Sequence, residues 1–228
     1  MKYILSLFIA LWSIAAWGQE GGDGFNPSNP GEPGQRYNLT VNVTPDEAGS
    51  TSPSGKQQYA LGESVYLSAN ANNYYQFVGW IQDGDTIVLA GSIPASLPSD
   101  IYERILEYLK NKKIRAIVDA TGDLLMNVLK YKPFLIKPNN FELEEIFGVE
   151  LKTAEDVSEY ALKLKEMGAV NVLVSMAGDG AILADENGKI HACGVCSGTV
   201  KNSVGAGDSM VAGFIAGCEK KSYEYALK

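Results

Sequence analysis

From Thr86 onward the chain alternates short apolar runs with amphipathic stretches, and this rhythm most narrows the folds open to it. The runs are Thr86–Ala90, Ile114–Asp119, Phe134–Ile136 and Val170–Ser175. Short, continuous apolar runs suit strands buried on both faces, and parallel strands need crossover connections that are usually helical. The stretches between the runs supply the helices. In Ser99–Lys110 the residues Ile101, Ile105, Leu106 and Leu109 fall on one face. In Thr153–Met167 a Thr-x-x-Asp cap starts the element, and Val157, Ala161 and Leu164 line it. Ala184–Ile190, with a Glu-Asn-Gly centre, predicts a short hairpin, and Ala206–Cys218 predicts a further helix. Residues 86–228 are therefore expected to form an α/β unit with a parallel sheet and flanking helices.

The first part of the chain reads differently. Lys2 precedes an apolar run from Tyr3 to Trp17, with small residues at Ala16 and Gly18. This is the pattern of an export leader over residues 1–18, too short for a comfortable membrane span of about 20 residues. Residues 19–36 form a linker, since Gly21–Gly34 is rich in Gly, Pro, Asn and Asp. From Tyr37 to Thr44 apolar and polar residues alternate, as in a half-buried strand; Ser64–Ala69 alternates similarly, and Tyr74–Trp80 closes the segment. Residues 37–85 are thus expected to be a small all-β module. Its Tyr59–Leu67 and Phe77-Val78-Gly79-Trp80 segments resemble one divergent internalin-B-type repeat of bacterial surface proteins.

Charge and cysteine usage exclude some partners. A formal net charge of −8, with no basic run, argues against a nucleic-acid or anionic-membrane surface. Three cysteines, Cys193, Cys196 and Cys218, are odd in number and too few for a disulfide framework. Cys193 and Cys196 have C-x-x-C spacing beside His191, but no second pair completes a set of four zinc ligands.

The chemistry is concentrated in Asn202-Ser203-Val204-Gly205-Ala206-Gly207-Asp208-Ser209. A glycine turn opening an apolar helix points backbone N–H groups outward, and the helix dipole favours an anion there. Asp208 places a carboxylate beside that site, where it can accept the proton of an attacking hydroxyl. An ordinary aspartate-capped loop would have the same local sequence. The surrounding motifs separate the two readings: Leu89-Ala90-Gly91-Ser92-Ile93-Pro94, Val118-Asp119-Ala120-Thr121-Gly122, Lys137-Pro138-Asn139-Asn140-Phe141-Glu142 and Val174-Ser175-Met176-Ala177-Gly178-Asp179-Gly180.

In that order these motifs resemble the ribokinase-like, PfkB-type carbohydrate kinases, and among them the sugar-phosphate kinases. The resemblance covers about residues 86–228. It implies a partial ribokinase-like, Rossmann-like sheet and an ATP- and Mg²⁺-dependent transfer to a sugar phosphate, fructose 1-phosphate or tagatose 6-phosphate. It makes Asp208 the catalytic base and Gly205, Ala206 and Gly207 the anion hole. Ser175, Gly178, Gly180 and Lys137 become contacts to the nucleotide phosphates, and Asn139 and Glu142 the residues that organise magnesium. Ala177 stands where a glycine is common in the family. Family members also carry an earlier half, with a Gly-Gly sugar motif and a β lid, and further helices beyond the base-bearing one. The sequence shows neither, so turnover is expected to be impaired.

Two other readings stay open. One is an exported surface or adhesion protein that works through the β repeat, with the α/β segment as passenger. The other is a chimera of two unrelated frames joined near Asp83–Thr86, with no native function. Export implies a secreted, periplasmic or surface location; the kinase portion as native context implies the cytoplasm.

Overall fold

The computed structural model describes residues 8–17, 36–44, 46–60, 63–73, 75–82, 84–93, 98–195, 205–220 and 222–227. They divide into two compact units, one reaching Asp85 and including Tyr108–Ile114, the other built from Thr86–Ile93, Ser99–Glu107 and the residues from Arg115.

The first unit contains strands β1 (Phe8–Trp17), β2 (Arg36–Thr44), β3 (Gly49–Ser52), β4 (Gly55–Ala60), β5 (Ser68–Ala71) and β6 (Tyr75–Gln82). Four of them form a sheet in the order β4-β2-β1-β6, while β3 and β5 pair separately. Within the apolar run taken as an export leader, residues 8–17 form strand β1, antiparallel to β2 and parallel to β6, and the rest of the run lies outside the described residues. The expected alternation at Tyr37–Thr44 appears as β2, whose Val41 is buried and whose Asn42 is exposed. The second alternating run is shorter than its sequence suggests, because only Ser68 and Ala69 of Ser64–Ala69 enter a strand. Trp80, with Val43 and Ala69, packs around buried Ala48.

The second unit contains β7 (Thr86–Ala90), α1 (Ile101–Leu109), β8 (Arg115–Asp119), α2 (Gly122–Val128), β9 (Leu135–Ile136), α3 (Asn140–Phe147), α4 (Ala154–Glu166), β10 (Asn171–Ser175), β11 (Ala181–Ala184), β12 (Ile190–Cys193), α5 (Ala206–Lys220) and α6 (Tyr223–Leu227). Its sheet runs β12-β11-β10-β9-β8-β7. Strands β7 to β10 are parallel, as the apolar runs predict, whereas β11 and β12 are antiparallel additions. They form the hairpin expected at Ala184–Ile190, so the sheet is mixed rather than purely parallel.

Helix α5 covers one face of this sheet. Its Val211 and Phe214 join Ile117, Leu135, Leu173, Ala181 and Leu183 in one buried cluster. Burying a side chain of this size contributes roughly 1.5–3 kcal/mol. The packing therefore fixes the height of α5 over the sheet, and with it the position of the helix N-terminus. Both predicted amphipathic faces are buried: Ile101, Ile105, Leu106 and Leu109 on α1, and Val157, Ala161 and Leu164 on α4. Thr153 caps α4 through a reciprocal pair with Asp156.

Candidate active site

Parallel α/β sheets present their functional residues where the strands end in the carboxyl direction. Here Ala90, Asp119, Ile136 and Ser175 end β7 to β10 side by side. Beyond β9 the Lys137 N–H donates to the Val118 carbonyl at 3.2 Å, and at the end of β10 Ser175 forms a parallel bridge with Asn139. Lys137, Asn139 and Ser175 are thereby held on adjacent strand ends although up to 38 residues separate them in sequence.

The N-terminus of α5 meets this edge. Gly205 has φ +78°, and the first helical bond among the described residues runs from Ser209 N–H to the Gly205 carbonyl at 2.9 Å. The amides before Ser209 therefore lie at the open end of the helix. Gly207 faces the Lys137 ammonium: a Cβ placed there would sit 3.2 Å from Nζ and 3.7 Å from Asp119 Oδ2. The absence of a side chain at Gly207 lets a buried cation approach the first turn of the helix. Lys137 Nζ is 3.1 Å from Asp119 Oδ1, and the Lys137 side chain is 8% exposed against 20% for Asp119. Asp208, next along the helix, is exposed.

Asp119 is the residue to which sequence reasoning gave no role. Its position at the carboxyl end of a parallel strand, before Thr121-Gly122, was the available signal. The surroundings hold it firmly. Its carbonyl accepts from Gly91 N–H at 3.1 Å, and the Gly91 carbonyl accepts from the Tyr102 hydroxyl at 3.0 Å. Burial, and secondarily the Asp119 charge, push the Tyr102 hydroxyl above its usual pKa, which keeps it a donor.

The loop after β10 is a single 3₁₀ turn, Ala177–Asp179. Ala177 adopts φ +47°, the left-handed region where glycine is favoured. Gly180 has φ +93°, and a Cβ there would lie 1.9 Å from the Cys193 carbonyl oxygen. This loop and α5 border a cavity of about 390 Å³, with Ala177, Gly180, Ala206, Ser209 and Phe214 in its lining. Gly178 lies in the same turn, with open space where a side chain would be.

Asn139 and Glu142 form a reciprocal cap on α3. Glu142 N–H donates to Asn139 Oδ1 at 2.9 Å, and Asn139 N–H donates to Glu142 Oε2 at 2.8 Å. The Asn-x-x-Glu motif thus has a structural use, with both side chains fixed at the end of the sheet. Among the described residues, no group of three or more His, Cys, Asp or Glu side chains is arranged to hold a metal ion. Cys193 donates its thiol to the Leu227 carbonyl at 2.9 Å, and Cys196, its C-x-x-C partner, lies outside the described residues.

The family model for "pfkB family carbohydrate kinase" matches residues 56–228. The chain belongs to the PfkB family. The match begins upstream of Thr86, where the motif-based resemblance starts. Among curated relatives, the 1-phosphofructokinase of Bacillus subtilis is 50% identical over 141 residues, covering 62% of this chain and 46% of that protein. The D-tagatose-1-phosphate kinase of Bacillus licheniformis is 33% identical, covering 59% and 44% respectively. Among solved structures, phosphofructokinase-2 from Escherichia coli in complex with fructose-6-phosphate superposes with TM-score 0.56 at 31% identity, over 64% of this chain and 48% of that one. The PfkB chain spans about half the length of the curated relatives it matches.

Proposed function

We propose that residues 86–228 carry the catalytic half of an ATP-dependent kinase acting on a ketohexose phosphate, with fructose 1-phosphate the favoured acceptor. The observation that carries this reading is the convergence at the head of α5, where the Gly205–Asp208 turn, the buried Lys137 ammonium and the strand ends of β8 to β10 meet. In this reading Asp208 accepts the proton of the acceptor hydroxyl as its oxygen attacks the terminal phosphorus. The amides of Gly205, Ala206 and Gly207 and the Lys137 charge stabilise negative charge on the transferring group, where positioning and electrostatics supply most of the catalysis. Ser175, Gly178 and Gly180 steer the remaining phosphates, and the adjoining cavity suits a flat nucleobase.

Magnesium, when bound, would supply positive charge that offsets the negative charge of the phosphates. The hard oxygen donors of Asn139 and Glu142 suit that ion, which keeps several waters and uses few protein ligands. The reciprocal cap holds both side chains at the start of α3, where Asn139 bridges to the end of β10, which supports this assignment. The two curated relatives named above are both kinases of a ketohexose 1-phosphate by name, which supports fructose 1-phosphate and shifts the second candidate from tagatose 6-phosphate to tagatose 1-phosphate. The deciding assay measures Mg-ATP binding to this chain, then Mg-ATP-dependent phosphorylation of the candidate sugars by the chain extended to the length of its relatives. Binding and turnover are expected; failure of the extended protein on every ketohexose phosphate would overturn the reading.

For the N-terminal part we propose a separate β module over 37–85 behind an export leader of residues 1–18 and a linker of 19–36. Support comes from the leader-like composition and from sheets that share no strand between the two parts. Cleavage after Gly18 would remove β1 from between β2 and β6. Those strands run antiparallel to each other, so they have the right polarity to pair directly once β1 is gone. Sequencing of exported material should begin at Gln19, and limited proteolysis near Gln82–Asp85 should release a stable fragment. A cytoplasmic protein retaining Met1 would favour the kinase portion as the native context.

A further inference from the structure

We propose that Asp119 is a positioning residue that controls which anions the α5 site accepts, by holding the Lys137 ammonium in balance. The inference rests on the reading of that site as a phosphate site. Lys137 is 6% exposed and packs against the first turn of α5, the positive end of the helix dipole. A cation buried there is unfavourable on its own account, because burial and the dipole both oppose it. Asp119 relieves this through the 3.1 Å ion pair with Nζ. The same carboxylate lies next to the place an incoming phosphate would occupy, since its Oδ2 is 3.7 Å from the Cβ position of Gly207. Asp119 and a bound phosphate therefore compete for one ammonium group. With Asp119 charged, Lys137 and Asp119 sum to zero, so a bare anion gains only the helix amides. An anion that brings its own cation gains more, because the imported positive charge satisfies Asp119 while the phosphate takes Lys137. The pair thus favours a cation-loaded polyphosphate over free phosphate or tripolyphosphate.

The test uses the whole chain and inorganic tripolyphosphate in the presence of EDTA, with affinity read by calorimetry. Asp119→Asn keeps the volume, removes the competing charge and should bind tripolyphosphate about tenfold more tightly than the unmodified protein. Lys137→Gln should lose most of the binding, and Asp119→Asn on that background should restore little of it, because the gain passes through Lys137. If the single Asp119→Asn variant fails to fold with an unpaired buried ammonium, the double variant removes both charges and still reports whether Asp119 acts through Lys137. Unchanged or weaker tripolyphosphate binding in folded Asp119→Asn would overturn the proposal, as would a full gain that persists without Lys137. An unmodified chain that binds neither tripolyphosphate nor Mg-ATP would instead remove the phosphate-site reading beneath it.

Discussion

A methyl group on Gly180 would stand 1.9 Å from the carbonyl oxygen of Cys193, far inside any tolerable contact. The obstruction is backbone, so no rotamer change relieves it, and φ of +93° adds strain for any side chain. Gly180→Ala should destabilise the second unit by about 2–4 kcal/mol, the range for overpacking combined with backbone strain. It should also displace the Ala177–Asp179 turn and weaken nucleotide binding. Gly178→Ala, with nothing within 4 Å of the added carbon, is the matched control for stability alone. Thermal melts of the two variants check the first effect and Mg-ATP titration of Gly180→Ala the second; equal melting would mean that the loop is not held against Cys193.

The Asn139–Glu142 cap predicts a separation of stability from metal dependence. Asn139→Ala removes the acceptor for Glu142 N–H and should cost about 1 kcal/mol. Glu142→Gln retains an oxygen that can accept from Asn139 N–H, since glutamine serves as well as glutamate in a capping box. Its melting temperature should stay near that of the unmodified chain. If Glu142 helps organise magnesium, the magnesium concentration needed for ATP binding should nevertheless rise several-fold. A Glu142→Gln variant with unaltered magnesium dependence would confine the motif to capping.

How much of this was legible in the sequence depends on the distance over which each feature is encoded. Helices α1 and α4 were readable because period and cap are local: Thr153 and Asp156 are three residues apart and bond to each other. Helix α2 was not, being seven residues long with no side-chain bond from its cap residue Thr121. Strand β11 was legible only as one arm of the hairpin at Ala184–Ile190, because its own apolar run is four residues long. At the site, the turn Gly205–Asp208 announced itself, but the Asp119–Lys137 pair is formed by neighbouring strands and has no local signature. Asn139 and Glu142 were visible as a pair, whereas their bonds to each other's backbone required the structure.

Acid should act on the β11–β12 hairpin through Asp185. Its Oδ1 accepts from Asn187 and Lys189 N–H at 2.9 Å each, and its Oδ2 lies 2.8 Å from His191 Nε2. Burial alone would push this carboxyl up, but the bonds from His191 and from the two amides outweigh it, and the net shift is downward. A carboxylate with a depressed folded pKa contributes stability that is full above its unfolded value, about 3.9, and is lost as pH falls through the folded one. The melting temperature of the second unit should therefore drop below about pH 4, with a shallower drop in Asp185→Asn. Identical acid limbs for the two proteins would show that other carboxylates dominate.

The last prediction concerns turnover. The first turn of α5 is encoded locally and seated by Val211 and Phe214, so this chain should bind Mg-ATP or tripolyphosphate by itself. Binding is not catalysis. In-line transfer needs the acceptor hydroxyl held within reach of the terminal phosphorus and water kept out, and this chain spans only about half the length of the relatives it matches. Fructose 1-phosphate phosphorylation by the chain as given should therefore be close to background, and should appear when it is extended to its relatives' length. In that extended protein Asp208→Asn should lower kcat by about 10²–10⁴-fold while leaving Mg-ATP affinity nearly unchanged, since the lost group acts on the acceptor proton rather than on the nucleotide. An equal fall in affinity would mark Asp208 as a binding residue. Full activity in the Asp208→Asn form would remove it from the mechanism, and brisk turnover by the unextended chain would show that the strand ends and the α5 turn suffice to align both substrates.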